Sequence, residues 1–264
     1  MRIVVCIKQV PATNDAVIDP ETKRIVREGV QAILNPFDTY AIEEAVRLRA
    51  RLGGGVEVLA ISMGPPRAEA VLREAVALGA DRGILLSHRA FGGSDTWATS
   101  YVLSQAIRTI GNVDLVICGK QAVDGDTAQV GPGIAAHLNW PQAALVSAVR
   151  EVSTQHLVVV RMHEDGHDVC ELSLPAVLTV VKGINVPRVP SLKGVLAARK
   201  SEIPVWTPEM IGADPAKIGL DGSPTRVVRT APPPPRNKES LRFTGTAEVC
   251  AGGLLRELRK RSLL

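Results

Sequence analysis

Apolar runs of strand length recur along the chain, at residues 2–7, 56–62, 83–87, 113–118 and 143–149. Between most of them the apolar positions take a helical period. Over residues 36–52, Ala41, Ile42, Ala45, Val46, Leu48 and Leu52 fall on one stripe, with Asn35 as N-cap and Pro36 at the first helical position. Residues 66–78 and 96–110 predict two more helices, the first closed by Gly79. Strands that are apolar throughout and alternate with helices predict an α/β fold, a parallel sheet with helices on both faces. Ligands of such sheets bind at the carboxyl ends of the strands.

The rhythm changes near residue 151. Leu157–Met162 and Asp168–Leu174 flank Glu164-Asp165-Gly166, and an Asp-Gly pair between strand-like runs predicts a β-hairpin. A further apolar run, 176–181, follows Pro175. Beyond Lys182 come Pro187, Pro190, Pro204, Pro208, Pro215 and Pro224, then Pro232–Pro235, a stretch that reads as extended and polyproline-like. A terminal helix over 247–261 presents Val249, Leu254, Leu255 and Leu258, too little to stand alone. The pattern divides the chain into an α/β domain with its hairpin at 1–182 and an extended C-terminal arm at 183–264, lying on something else such as a partner subunit.

With 264 residues and 45% hydrophobic content the chain can bury a real core. It has no run of 18 apolar residues. Its start, a strand carrying Lys8, lacks the cleavage site of a signal peptide. These features predict a soluble cytoplasmic protein without stable membrane insertion. The four cysteines, Cys6, Cys118, Cys170 and Cys250, are far apart and show no CxxC spacing, which argues against a disulfide framework or a zinc site. A net charge of +4 invites a nucleic-acid reading, but the basic residues are dispersed apart from Arg256, Arg259, Lys260 and Arg261, and aromatics make up only 3%. No nucleic-acid partner is expected.

The stretch GKQAVDGDTAQVGPG at 119–133 follows the apolar run ending at Cys118. A strand that breaks into a Gly, Asp and Thr turn and restarts as helix leaves N–H groups unpaired at the helix start, where anions bind, usually phosphate. The loop has neither the Walker pattern nor GxGxxG. Asp124 and Asp126 would repel phosphate and suit turn formation, capping or ribose hydroxyls better, leaving Thr127, Gln129 and nearby N–H groups for the anion. Pro132 places the helix start near Val130 or Gly131. A purely structural strand-to-helix turn is the alternative. A second polar loop, 92–99, opens a helix with Ser94 or Asp95 as cap, and two glycine-bearing helix starts on one sheet edge suit a long ligand with several phosphates. His163-Glu164-Asp165-Gly166-His167 matches HExxH, but that metal site needs a helix, and these residues fall on the predicted hairpin tip. No metal ligand or catalytic side chain is assigned.

The chain resembles the beta subunit of electron transfer flavoproteins over nearly its whole length. The matching pieces are IVVCIKQVP, NPFDTYAIEEAVRL from Asn35, the turn at 79–83, the GKQAVDGDTAQVGP loop, and the signature region from Arg161 through 174–179, from which Asp168 and Cys170 depart. The resemblance implies a Rossmann-like adenine-nucleotide domain in a heterodimer with a flavin-carrying alpha subunit. By position, the family's nucleotide contacts fall on Cys6, on Asn35, Pro36, Phe37 and Asp38, on Met63, and on Asp124, Gly125, Asp126, Thr127, Ala128, Gln129, Val130, Gly131, Pro132, Gly133, Ile134 and Ala135.

Ordinary members of the family hold AMP there, and electron-bifurcating members hold a second FAD that accepts hydride from NADH. The small residues at Gly125, Thr127-Ala128 and 130–132, with Ser94, Asp95, Thr96 and Thr99 in the 93–99 segment, are similar to the bifurcating group. That resemblance implies an NADH-oxidising flavoprotein subunit passing single electrons to the alpha-subunit flavin and to a low-potential acceptor, ferredoxin or flavodoxin. The segment 191–200 resembles the family's recognition loop for a flavin dehydrogenase, with Leu192 as anchor and Lys193, Arg199 and Lys200 around it. Leu196 replaces the more usual methionine, and a leucine tucked under its own arm is the plain structural alternative. The rival functions are a non-bifurcating carrier holding structural AMP and a nucleotide-sensing module of universal-stress type.

Overall fold

All five apolar runs of the α/β region form strands in the computed structural model, which describes residues 1–12, 31–228 and 240–264. In chain order the elements are β1 (Arg2–Cys6), β2 (Gln9–Pro11), β3 (Ala32–Leu34), α1 (Pro36–Arg51), β4 (Glu57–Met63), α2 (Glu69–Leu78), β5 (Arg82–Leu86), α3 (Thr96–Ile110), β6 (Leu115–Gly119) and α4 (Val130–Leu138). They continue with β7 (Gln142–Val152), β8 (His156–His163), β9 (Gly166–Ser173), β10 (Ala176–Val180), α5 (Leu192–Lys200), β11 (Val205–Trp206) and α6 (Ala247–Lys260).

One nine-stranded sheet runs in the order β11-β5-β4-β1-β6-β10-β7-β8-β9. Neighbours from β11 to β7 are parallel, and β7, β8 and β9 are antiparallel. Successive side chains of a strand point to opposite faces. Ile3 and Val5 therefore pack with α1 and α2, and Val4 and Cys6 with α3 and α4, giving two cores on one sheet. The helix after β6 carries the chain to β7, two places away, and β10 later fills the gap with Val177 opposite Val116 and Gln142.

Strand order reverses at β1. The chain moves outward through β4 and β5, then returns by α3 to β6 on the other side of β1. The crevice outside the carboxyl ends of β1 and β6 is where an open sheet of this kind holds a ligand.

Beyond Lys182 the chain is more ordered than a proline-rich sequence suggests. Asn185 donates to the Tyr40 carbonyl at 3.0 Å and to Glu44 at 2.9 Å, and Arg188 pairs with Glu43 at 2.7 Å. The 191–200 segment, read from sequence as a loop, is helical. Ser191 accepts from the Gly194 N–H at 3.1 Å as N-cap, and Arg199 and Lys200 lie in the last turn, where cations favour the dipole. β11 then extends the sheet beside β5. The described chain forms two compact units, Met1–Val228 and Arg229–Leu264.

In the second unit, α6 is capped by Thr246 and no residue of it is buried. Val249, Leu254 and Leu255 are exposed, and Phe243 packs where a Gly253 side chain would be. The polyproline run at 232–235 lies outside the described residues. Among the described residues no helix is long and apolar enough to cross a membrane.

Candidate functional site

A buried hydrogen-bond network ties three chain segments together at the crevice. Asn35 occupies the N-cap position of α1, but its side chain makes no cap bond. The Asp38 N–H donates instead to the Asn35 carbonyl at 2.9 Å, which frees the amide for longer-range contacts. Asn35 Nδ2 donates to Asp38 Oδ1 and to the Gln121 carbonyl, both at 2.9 Å, and Asn35 Oδ1 accepts from the Val123 N–H at 3.2 Å. Asp38 Oδ2 accepts from the Lys8 N–H at 2.7 Å. Burial pushes the Asp38 carboxyl up to about 7, against the pull of N–H donors from Asn35, Lys8 and Gly119. Gly119 has no room for a side chain, since a Cβ there would meet the Asp38 carboxylate and the Phe37 backbone.

Cys6 and Cys118 are register partners on β1 and β6 and both are buried free thiols. Their mutual hydrogen bond, together with burial, raises the Cys6 pKa well above its ordinary value and keeps it a thiol. Cys6 is thereby kept out of nucleophilic chemistry.

In the loop from Lys120 to Gln129, residues 124–127 and Gln129 are exposed and the others partly so, and α4 begins at Val130. Pro132 is tolerated because first-turn N–H groups have no intrahelical acceptor. The carboxylates that would oppose an anion are occupied: Lys8 Nζ pairs with Asp124 at 2.7 Å, and Gln121 donates to Asp126. Asp126 and Ala128 sit at φ 55° and 54°, a conformation that non-glycine residues rarely adopt and that clusters at functional sites. The right-handed residue Gln129 follows Ala128, a left-to-right alternation that turns successive N–H groups toward a common anion.

The glycines of this region divide by purpose. A Cβ on Gly131 would run into Thr179 Cγ2, and one on Gly133 would approach Ser100 Oγ to 2.6 Å, so both serve the packing of α4. Gly125 has nothing within 4 Å of such a Cβ among the described residues and no positive φ, so neither packing against them nor backbone conformation demands glycine there. Gly131→Ala is expected to destabilise the protein by about 1–3 kcal/mol, because overpacking outweighs the ~0.5–1 kcal/mol that alanine gains over glycine in a helix. Thr179 cannot swing away freely, since its hydroxyl accepts from the Leu145 N–H at 3.0 Å. Thermal unfolding of that variant beside Gly125→Ala, which should be near neutral, checks the distinction.

The 92–99 loop meets the same edge. Thr96 Oγ1 donates to Gln129 Oε1 at 2.8 Å, joining the starts of α3 and α4. Asp95 is the N-cap, accepting from the Ala98 N–H at 3.0 Å, while its other oxygen takes the Thr225 N–H at 3.0 Å and hydroxyl at 2.8 Å. Burial works to raise its pKa, but these bonds outweigh it and hold the carboxyl below its usual value. Ser94 accepts from the Gly219 N–H at 3.0 Å, and Ser223 accepts from the Asp95 N–H at 2.9 Å. Residues 219–225 thus strap down the start of α3.

Among the other sequence-predicted site residues, Met63 ends β4 and Thr99 lies one turn into α3, both partly exposed. Pro36 is exposed and Phe37 half-buried at the start of α1. Ile134 and Ala135 are buried in the core under α3 and α4, at 0% and 1% exposure. Sequence reading missed Lys8, Gln121, Gly219, Ser223 and Thr225. Only Lys8, a charge ending an apolar strand, carried a local signal.

His163 and His167 flank a tight β8–β9 turn in which His163 pairs with Gly166 and Met162 with His167. Strand alternation sends the two imidazoles to opposite faces, so the HExxH pattern does not converge. Leu192 is 77% exposed at the start of α5, and Leu196, Lys193, Arg199 and Lys200 are exposed around it. Helix α5 is held from beneath: Arg73 donates to the Ala198 and Ser201 carbonyls at 2.8 and 2.9 Å, and Gly194 lies against the Ala77 carbonyl.

These features define a doubly wound α/β protein with a polar, glycine-bearing crevice at its strand reversal. The model of the electron transfer flavoprotein domain matches residues 22–210. The chain is 47% identical, over all of both chains, to the electron transfer flavoprotein subunit beta of Thermoanaerobacterium thermosaccharolyticum. It is 44% identical, again over all of both chains, to subunit CarD of the caffeyl-CoA reductase–Etf complex of Acetobacterium woodii. Protein FixA of Azotobacter vinelandii is 46% identical over 91% of this chain and 87% of that protein. The chain belongs to the electron transfer flavoprotein family, on the side of its beta subunits. Its function lies in electron transfer, and a beta subunit implies an alpha-subunit partner.

Proposed function

We propose that the crevice holds FAD rather than AMP, and that with its alpha subunit the chain takes electrons from NADH and divides them between a flavin dehydrogenase and a low-potential carrier. The observation that carries this reading is Gly125. Its missing side chain leaves space that no described residue fills, on a loop whose carboxylates are already tied to Lys8 and Gln121. In this reading that space takes the second phosphate and the extra length of a dinucleotide, and the joined starts of α3 and α4 offer N–H groups and hydroxyls along it. Likeness over full length to a subunit of a caffeyl-CoA reductase–Etf complex supports a dehydrogenase partner.

In this reading Thr96, Thr99, Thr127, Gln129 and the first turn of α4 hold the pyrophosphate, with Cys6 and Met63 lining the crevice floor. A flavin supplies the chemistry, accepting hydride as an electron pair and releasing electrons singly. The chain's own part is to bind, orient and neutralise the phosphates. Purifying the chain with its alpha subunit and counting nucleotides tests the assignment: two FAD per heterodimer is expected, and one FAD with one AMP overturns it in favour of a simple carrier. ATP or AMP without flavin would indicate a nucleotide sensor.

Leu192 and its basic surround form the dehydrogenase-docking surface in this proposal, a protruding apolar anchor with a cationic rim. Leu192→Ala is expected to weaken dehydrogenase binding by about 2 kcal/mol, roughly thirtyfold in Kd, with nucleotide content unchanged. Equal loss of both would make the leucine structural.

A further inference from the structure

Asn35 lies in the segment the family resemblance assigns to nucleotide contact, yet its side chain is already engaged at both ends. Both amide hydrogens are used, by Asp38 Oδ1 and the Gln121 carbonyl, its oxygen accepts from the Val123 N–H, and the residue is 1% exposed. Asp38 is 5% exposed and, among the described residues, accepts from the Asn35 amide and the Lys8 N–H, with the Gly119 backbone packed beside it. Neither side chain is free to meet a ligand. What they share is a grip on the backbone of the binding loop, Asn35 at residues 121 and 123 and Asp38 through Asn35 and at Gly119.

We propose that Asn35 and Asp38 are positioning residues of the nucleotide site, holding the Gly119–Val123 backbone in binding shape without touching the nucleotide, so that affinity follows the charge of Asp38. The inference rests on the nucleotide reading of the crevice given above. An ionised carboxylate is acceptor-only and satisfies both the Asn35 amide and the Lys8 N–H, whereas a protonated one carries an O–H with no acceptor between them. Protonation therefore sets an O–H among N–H donors and weakens the contacts that hold the loop and the end of β1.

Among the described residues, the titratable groups around Asp38 are Lys8 and Cys6 on β1 and its extension, Cys118 on β6, and Asp124, which pairs with the Lys8 ammonium. Burial and the hydrogen bond to Cys118 keep Cys6 a thiol and the ammonium is held by Asp124, so the change near neutral pH is that of Asp38. Its carboxyl, raised to about 7 by burial, titrates where the effect can be read.

The test uses the heterodimer stripped of nucleotide at this site, with FAD and AMP titrated separately between pH 5.5 and 8.5, and amide exchange followed at residues 119–129. In the unaltered protein, affinity is expected to fall roughly tenfold as pH drops through 7, with faster exchange at Gly119, Gln121 and Val123. Asp38→Asn should bind more weakly at pH 8 and give a flat profile. Asn35→Ser, which keeps a short polar side chain and is checked for folding by its alpha-subunit assembly, should weaken binding at every pH, retain the pH dependence and loosen Val123. An Asp38→Asn profile that tracks the unaltered protein, or loop exchange that neither substitution changes, overturns the proposal while leaving the nucleotide reading intact. If the unaltered protein binds neither FAD nor AMP, the nucleotide reading falls and the proposal falls with it.

Discussion

Thr127→Asp is expected to leave the heterodimer with only its alpha-subunit flavin. Thr127 is exposed and sits between two residues of positive φ on the loop after β6, so its side chain carries no core packing. A surface change of this kind alters stability by about 0.5 kcal/mol or less. A carboxylate placed some 4 Å from a phosphate, however, costs about 1 kcal/mol in a fully aqueous setting and about 4 kcal/mol in a partly shielded crevice. That is a loss of roughly fivefold to several hundredfold in affinity. Asp124 does not already impose this cost because Lys8 neutralises it, and a carboxylate introduced in place of Thr127 would find that ammonium already taken. Flavin per heterodimer, measured by absorbance after denaturation, should drop from two to one with thermal stability kept, and Thr127→Ser should retain both. Unchanged flavin in Thr127→Asp would remove the residue from the phosphate site.

Much of the scaffold under that site was legible in the sequence, and the physical reasons are local. β1, β4, β5 and β6 are continuous apolar runs because both faces of each are covered, and α3 runs over the 15 residues from Thr96 to Ile110 that the pattern marks. Pro132 marks the start of α4, since a proline belongs in a first turn. Short elements left no period to read: β2 and β3 have three residues each, β11 has two, and α5 lies between Pro190 and Pro204.

The site's polar wiring was illegible for a different reason. Lys8 meets Asp124 across 116 positions, and Thr225 meets Asp95 across 130. No local pattern marks either pair, because the fold alone brings them together. Asn35 departs from expectation for a subtler cause. The sequence Asn-Pro-Phe-Asp signals an N-cap, but the Asp38 N–H bonds to the Asn35 carbonyl, and the amide side chain is released to bridge the crevice.

The same buried carboxylate predicts how stability depends on pH. Asp38 titrates near 7 in the fold and near 3.8 when unfolded, so its folded value is raised. A raised carboxyl contributes stability that is fully present below about 4 and is lost as pH rises through 7. Above that, the fold carries an ionised group in a site 5% exposed. A shift of that size corresponds to a few kcal/mol, roughly 5–10 °C in Tm for a chain of this length. Tm of the nucleotide-free heterodimer should therefore fall between pH 5 and pH 8 by more in the unaltered protein than in Asp38→Asn, whose amide does not titrate. Identical slopes would mean that the carboxyl is not desolvated as the structure requires. Asparagine would escape the charge cost yet fit the site poorly, because its amide hydrogens would face the Lys8 N–H or the Asn35 amide, each of which needs an acceptor. The expected pattern, a flatter stability profile together with a looser loop, separates the cost of holding the carboxylate from the use the crevice makes of it.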